Sequence, residues 1–267
     1  MSIASLYYRW LQVRTAGLSN VPSDGAAILV GNHAGLRVYD FFSLQVALRR
    51  FHPARRWVRA PLHIGTEKAL FFGHLMIQYA GGVVGHRRNA RYLLDKGELV
   101  MTYPEGGNST GKRFRDRDVL CDLQHFGSGW ARLALEADVP VIPVGSSGFE
   151  SAVPTLFRST TLGRYWGMDN DLYPVSPQSF LTATMPTLAW TLPFPTRCAL
   201  SFGEPLDIKS LVGDADPKTE EAIGSATAKV HSIIQAHIEN ARVLRKYDQE
   251  TITSNECHPA PSERLTG

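Results

Sequence analysis

A chain of 267 residues with 43% apolar content has room for one large domain with a buried core, or less readily two small ones. Three widely separated cysteines, Cys121, Cys198 and Cys257, argue against a disulfide framework and a thiolate zinc site and fit a reducing, cytoplasmic compartment. The net charge of +3 is small, but 14 of the 28 basic residues lie between Arg49 and Arg117, where only five acids fall. That bias suits an anionic partner such as phosphate or lipid head groups, with an ordinary solvated surface as the alternative.

Taken in order, residues 2–14 place Ile3, Leu6, Tyr7, Trp10 and Leu11 on one helical face, a stripe that fits an interfacial helix or core packing equally. No signal-peptide pattern and no uninterrupted apolar run of about 18 residues occurs, so a surface-bound chain is expected in place of a spanning one. Gly17 to Gly25 is turn-rich and leads into a buried strand at 26–31. A helix follows from Asp40 to Arg50, with Asp40 where an N-cap would stand. Further expected elements are a strand at 56–60, a helix at 67–79, a glycine-broken strand at 81–84, a helix at 87–96 and a strand at 98–103. A helix at 124–137 and a buried strand at 139–144 come next. Residues 158–177 read as irregular. The apolar stretch 180–194 carries Pro186 and Pro193, so it is not one regular helix; it reads as an acyl channel, a membrane contact or ordinary core. A strand at 197–202 precedes an amphipathic helix at 217–247, with Ile223, Ala226, Val230, Ile233, His237 and Leu244 at helical spacing. The polar residues after it read as a disordered tail. This alternation predicts a single α/β domain with a central, mostly parallel sheet flanked by helices.

Four short stretches carry chemistry: Asn32-His33 with a downstream Asp40, Gly82-Val83-Val84-Gly85-His86-Arg87, Tyr103-Pro104-Glu105-Gly106, and Val139 to Val144. In this order they resemble the phospholipid/glycerol acyltransferase family, whose members move an acyl group from a thioester onto a hydroxyl. The likeness runs over roughly residues 15–208, including Phe202-Gly203-Glu204-Pro205-Leu206. The common pattern has four residues between histidine and aspartate, whereas six separate His33 from Asp40. That longer loop is similar to the branch resembling monoacylglycerol and diacylglycerol acyltransferases, and it leaves open whether Asp40 reaches the imidazole.

The resemblance implies an acyltransferase domain at 15–247, with 1–14 as an N-terminal amphipathic helix and 248–267 as the tail. It implies His33 as general base and Asp40 as its orienting partner, a helix cap being the other reading of Asp40. Glu105 and Gly106, with Asn32, would form the acceptor loop, and Arg87 would bind phosphate; Gly107 and Asn108 stand where the family often has Thr and Arg, and Lys112 or Arg113 would reach back to replace that phosphate ligand. A surface ion pair is the alternative for Arg87. An imidazole with an ordinary pKa near ~6.5 suits deprotonation of a hydroxyl near neutrality. The implied partners are acyl-CoA or an acyl carrier protein as co-substrate, a glycerolipid or lysophospholipid acceptor, and a membrane surface on its cytosolic side. No metal, prosthetic group or nucleic acid is called for. Two other classes stay open: a lipid- or acyl-CoA-binding protein without turnover, and a nucleotide-binding P-loop at Gly106 to Lys112. The latter lacks the Ser or Thr that Mg²⁺ needs, having Arg113 there.

Overall fold

The computed structural model describes residues 3–35, 38–62, 80–106, 112–161, 173–178, 193–212, 216 and 219–246. The expected helix at 67–79, most of 180–194, most of the P-loop-like run and the tail lie outside them. The described elements in chain order are α1 (Ile3–Trp10), β1 (Arg14–Ala16), β2 (Ala27–Gly31), α2 (Tyr39–Arg50), β3 (Val58–Leu62), β4 (Gly82–Val84), α3 (Arg87–Asp95) and β5 (Leu99–Thr102). They continue with α4 (Gly129–Ala137), β6 (Val141–Ser147), α5 (Phe149–Ala152), β7 (Phe157–Ser159), β8 (Tyr173–Val175), β9 (Ala199–Phe202), α6 (Ile208–Val212) and α7 (Glu220–Leu244).

Seven strands form one sheet in the order β1-β9-β6-β2-β5-β3-β4, and β7 pairs with β8 in a separate antiparallel ribbon. Strands β6, β2, β5, β3 and β4 run parallel; β9 runs antiparallel to β6 and carries β1 parallel to itself at the edge. The sheet is therefore mostly parallel, as predicted. Strand alternation divides the apolar residues between its two faces. Ala27, Leu29, Leu99, Met101, Ile142 and Val144 join the core that includes Tyr39, Phe41, Leu44 and Leu48 of α2. Ile28, Val30, Val100 and Val141 join the one that includes Ala90, Trp130, Val230 and Ile234 from α3, α4 and α7. Both faces are covered, which is why the central strands read as continuous apolar runs.

Several boundaries differ from the sequence reading, each for a physical reason. The N-terminal helix stops at Trp10, short of residue 14: Gln12 takes φ +42°, and hydrogen bonds of Leu11 and Arg14 with Cys198 draw the chain into β1 beside β9. Its stripe divides, with Leu11 buried and Tyr7 packed on the core while Leu6 and Trp10 stay exposed. The helix expected at 124–137 becomes a 3₁₀ turn at Leu123–His125 followed by α4, because Gly127 and Ser128 interrupt it. The long helix is capped by Thr219, which accepts from the Ala222 N–H at 3.2 Å. Its buried face runs through Ile234, Ile238 and Ala241, off the expected His237 line. Beneath it, a Cβ on Gly145 would stand 2.1 Å from the His237 carbonyl carbon, so glycine lets α7 rest directly on β6.

No described helix is long and apolar enough to cross a membrane.

Candidate active site

Strands β2, β5 and β6 are neighbours and parallel, so the loops leaving their carboxyl ends emerge side by side at one edge of the sheet. In open α/β sheets this is where groups from separate loops converge over a rigid base. The loop after β2 carries Asn32 and His33, the loop after β5 carries Tyr103 and Glu105, and β6 leads into Glu150.

Asn32 joins two of these strands. Its side-chain amide donates to the Ser146 carbonyl at 2.9 Å, and its carbonyl accepts the Ser146 N–H at 2.7 Å. With the residue 1% exposed and both ends of the amide engaged, Asn32 continues the β2–β6 ladder past Gly31, in place of the acceptor contact the family likeness implied.

The six-residue loop does return Asp40 to His33. Asp40 lies in the first turn of α2, two residues past Val38, the residue that occupies the N-cap. The N-cap expectation is therefore not met, because the carboxylate turns back over the loop. Its Oδ2 accepts from His33 Nδ1 at 2.7 Å and from the Ala34 N–H at 2.9 Å, and its Oδ1 accepts the Phe41 N–H at 2.8 Å. Three donors satisfy a side chain only 1% exposed, and the helix N-terminus favours negative charge there. This arrangement assigns the His33 proton to Nδ1 and leaves Nε2 with its lone pair. Tyr103 stacks on the imidazole, ring centroids 4.7 Å apart. Burial alone would lower the His33 pKa. The charge and hydrogen bond of Asp40, assisted by Glu105, outweigh it and set the pKa above the usual value.

Glu105 fixes the loop from the other side. Its Oε2 accepts the His33 backbone N–H at 3.0 Å, while Oε1 accepts the Cys121 N–H at 2.9 Å and meets Lys112 Nζ at 2.6 Å. Lys112 also donates to the Val119 carbonyl at 2.7 Å. Glu105 and Lys112 thus stand at the site as an enclosed pair, with Glu105 2% exposed. Gly106 adopts φ +57° in the turn that swings Glu105 inward, its N–H bonded to the Tyr103 carbonyl. Arg87 is not brought to this cluster: it opens α3 beyond edge strand β4 and pairs with Glu136 of α4. With Lys112 bound to Glu105, the P-loop reading has lost its phosphate ligand.

Two residues with a place in the site went unassigned by the sequence reading. Tyr103 belongs to the Tyr103-Pro104-Glu105-Gly106 motif, and burial followed by the Asp40 charge pushes its pKa well above 10, so the ring facing His33 stays a neutral phenol. Glu150 lies on α5, where its backbone N and the adjacent Phe149 carbonyl approach Gly35 of the histidine loop. It is 3% exposed, and neither carboxyl oxygen has a hydrogen-bond partner in another residue. Burial, reinforced by Asp118 and Asp40, raises its pKa to about 7. The available signal is a lone acid two residues past Gly148, close behind the apolar run Val139 to Val144.

Comparisons with known proteins bear on the family and the fold. A family model described as Acyltransferase matches residues 12–147, from just before β1 to the end of β6. An uncharacterised protein of Mycobacterium tuberculosis is 34% identical over 202 residues, 74% of this chain and 52% of the relative. One of Mycobacterium leprae is 33% identical over 198 residues, 74% of this chain and 51% of the relative. The chain spans about half the length of these curated relatives. The DGAT1/2-independent enzyme synthesizing storage lipids of Bos taurus is 22% identical over 249 residues, 91% of this chain and 68% of that enzyme. The crystal structure of the 1-acyl-sn-glycerophosphate (LPA) acyltransferase PlsC from Thermotoga maritima shares the fold, with a TM-score of 0.52, 20% identity and coverage of 89% of this chain and 78% of that one. On the family match over half its length, this chain belongs to the acyltransferase family.

Proposed function

We propose that the protein is an O-acyltransferase that moves a fatty acyl group from an acyl thioester, acyl-CoA or an acyl carrier protein, to a hydroxyl of a neutral glyceride-type acceptor. The observation that carries this reading is the 2.7 Å contact of Asp40 with His33 Nδ1, which leaves Nε2 open to a substrate hydroxyl. The acceptor oxygen attacks the thioester carbonyl carbon as its proton passes to Nε2. Asp40 stabilises the imidazolium that forms. Collapse of the tetrahedral intermediate breaks the C–S bond, and the imidazolium returns its proton to the departing thiolate. General-base assistance of this kind is worth about 10²–10⁴-fold. Glu105, through the His33 N–H, holds the backbone that aims the imidazole.

The preference for a neutral acceptor rests on the two cations implied for phosphate binding. Lys112 is held by Glu105, and Arg87 lies beyond edge strand β4 on Glu136, away from His33, so neither is placed to meet a head group there. A lipid-binding protein without turnover is disfavoured, because the loop that would have misplaced Asp40 closes on His33 instead.

The test is thiol release from acyl-CoA by purified protein given monoacylglycerol, diacylglycerol or lysophosphatidic acid. Release with the neutral acceptors is the expected result. Release with lysophosphatidic acid alone contradicts the acceptor assignment, and no release with any acceptor or with an acyl carrier protein donor contradicts acyl transfer itself.

A further inference from the structure

Immediately after Lys112 the chain leaves the active-site edge and forms a surface of unusual composition. Phe114 is 42% exposed, Leu156 54% and Phe157 51%, although each is bulky and apolar. Two segments set them side by side. Arg113 bridges to Thr155, the Phe114 N–H donates to the Thr155 carbonyl at 3.2 Å, and the Leu156 N–H donates to Val175 of β8 at 2.8 Å. Between them lies an open cleft of about 450 Å³ lined by Arg113, Phe114, Arg115, Thr155, Leu156 and Phe157.

The charge on this surface has one dominant sign. Arg113 and Arg115 are exposed, and the Arg117 guanidinium lies 4.2 Å over the Phe114 ring; Asp116, beside Arg115, is the acid within the 113–117 run. Exposed apolar side chains continue along the same rim. The Phe194 N–H donates to the Ala152 carbonyl, three residues before Thr155, and the preceding Pro193 carbonyl accepts the indole N–H of exposed Trp10 at 3.0 Å.

We propose that this rim, centred on Phe114, Leu156, Phe157, Arg113 and Arg115, docks on a lipid bilayer carrying anionic head groups, and so holds the His33 edge against the membrane. The proposal rests on the acyltransferase reading for its purpose, not for its geometry. Exposed apolar side chains interleaved with arginines match a membrane interface, where rings and aliphatic side chains enter the acyl boundary while guanidinium groups stay among phosphates. Charge of one sign selects an anionic leaflet. Lys112 connects the rim to Glu105, hence to the loop bearing His33, so docking here brings that loop to the bilayer.

The experiment is co-sedimentation of the full chain with vesicles of phosphatidylcholine alone and of phosphatidylcholine and phosphatidylglycerol in equal parts. Phe114→Ser with Leu156→Ser and Phe157→Ser should weaken binding to both vesicles by on the order of 100-fold. Arg113→Gln with Arg115→Gln should weaken binding to the phosphatidylglycerol vesicles by roughly 30-fold and leave the neutral ones unaffected. The apolar variant should release thiol at the wild-type rate with short-chain acceptors dispersed below their micelle concentration. Wild-type protein that binds neither vesicle, or variants that both bind like wild type, overturns the docking surface. Concentration-dependent self-association that the serine variant abolishes, with vesicle binding unchanged, overturns it in favour of a contact between copies. A wild-type protein that releases thiol without binding vesicles refutes docking alone; one that binds vesicles without releasing thiol refutes acyl transfer alone.

Discussion

Asp40→Asn replaces one carboxylate oxygen at the centre of the site, and the hydrogen bonds around that side chain determine the effect. In the native protein Oδ2 takes both His33 Nδ1 and the Ala34 N–H, and Oδ1 takes the Phe41 N–H. An asparagine has one acceptor oxygen and one NH₂ group. If its NH₂ faces Phe41, two donors meet head to head in a buried place. If it faces His33, Nδ1 must accept, the proton moves to Nε2, and the lone pair needed by the substrate hydroxyl is gone. Either arrangement removes the negative charge that stabilises the imidazolium, so we predict a loss of about 10²–10⁴-fold in kcat for thiol release. The pH profile gives an independent check. The base acts when neutral, so the rate rises with pH through the His33 pKa, which Asp40 and Glu105 raise against the opposing effect of burial. Without the carboxylate the acidic limb should move to lower pH while the plateau falls. A plateau within a few-fold of wild type and an unmoved limb would refute the pairing as a catalytic device.

Two further substitutions probe the scaffold. Glu150→Gln tests the buried carboxyl: its pKa is raised from 4.5 to about 7, so the folded state binds the extra proton and wild-type stability falls as pH rises across that window. At about 1.4 kcal/mol per unit the gap is about 3 kcal/mol. The stability of the glutamine variant relative to wild type should therefore climb by about that amount between pH 4 and pH 8, as followed by denaturant unfolding; a pH-independent difference would contradict it. Glu105→Gln leaves the Lys112 ammonium buried without its charge partner, and breaking such a pair costs about 3–5 kcal/mol. A double-mutant cycle with Lys112→Met should return most of that energy as coupling, whereas additive losses would show that the pair does not act as a unit.

How far the sequence reveals this molecule depends on the range of the interaction concerned. The parallel strands were legible because a strand covered on both faces must be apolar throughout, as in Ile28-Leu29-Val30 and Val141-Ile142. His33 and Glu105 were legible through motifs that follow such strands. The partners of those motifs were not, since they depend on contacts far apart in the chain. Asn32 bonds Ser146 across 114 residues, a pairing no local pattern encodes. Arg87 resembles a phosphate ligand in sequence but meets Glu136, 49 residues away, after α3 packs beside α4. Asp40 looked like a helix cap because it precedes an apolar periodic run, and the loop geometry that turns it toward His33 is a tertiary property. Glu150 carries only a weak sequence signal because a lone acid after a strand is commonplace, and only its burial makes it unusual.

The central claim is that the His33 imidazole takes the acceptor proton, and the direct measurement is single-turnover thiol release from acyl-CoA with a monoacylglycerol acceptor, wild type against His33→Ala. Asp40 keeps the Ala34 and Phe41 N–H donors when the imidazole is removed, so the variant should fold and still bind acyl-CoA. The predicted result is unchanged donor binding with the rate reduced by about 10²-fold or more across the pH range, and with the acidic limb abolished. A variant that transfers acyl groups at the wild-type rate with the same pH profile would contradict it.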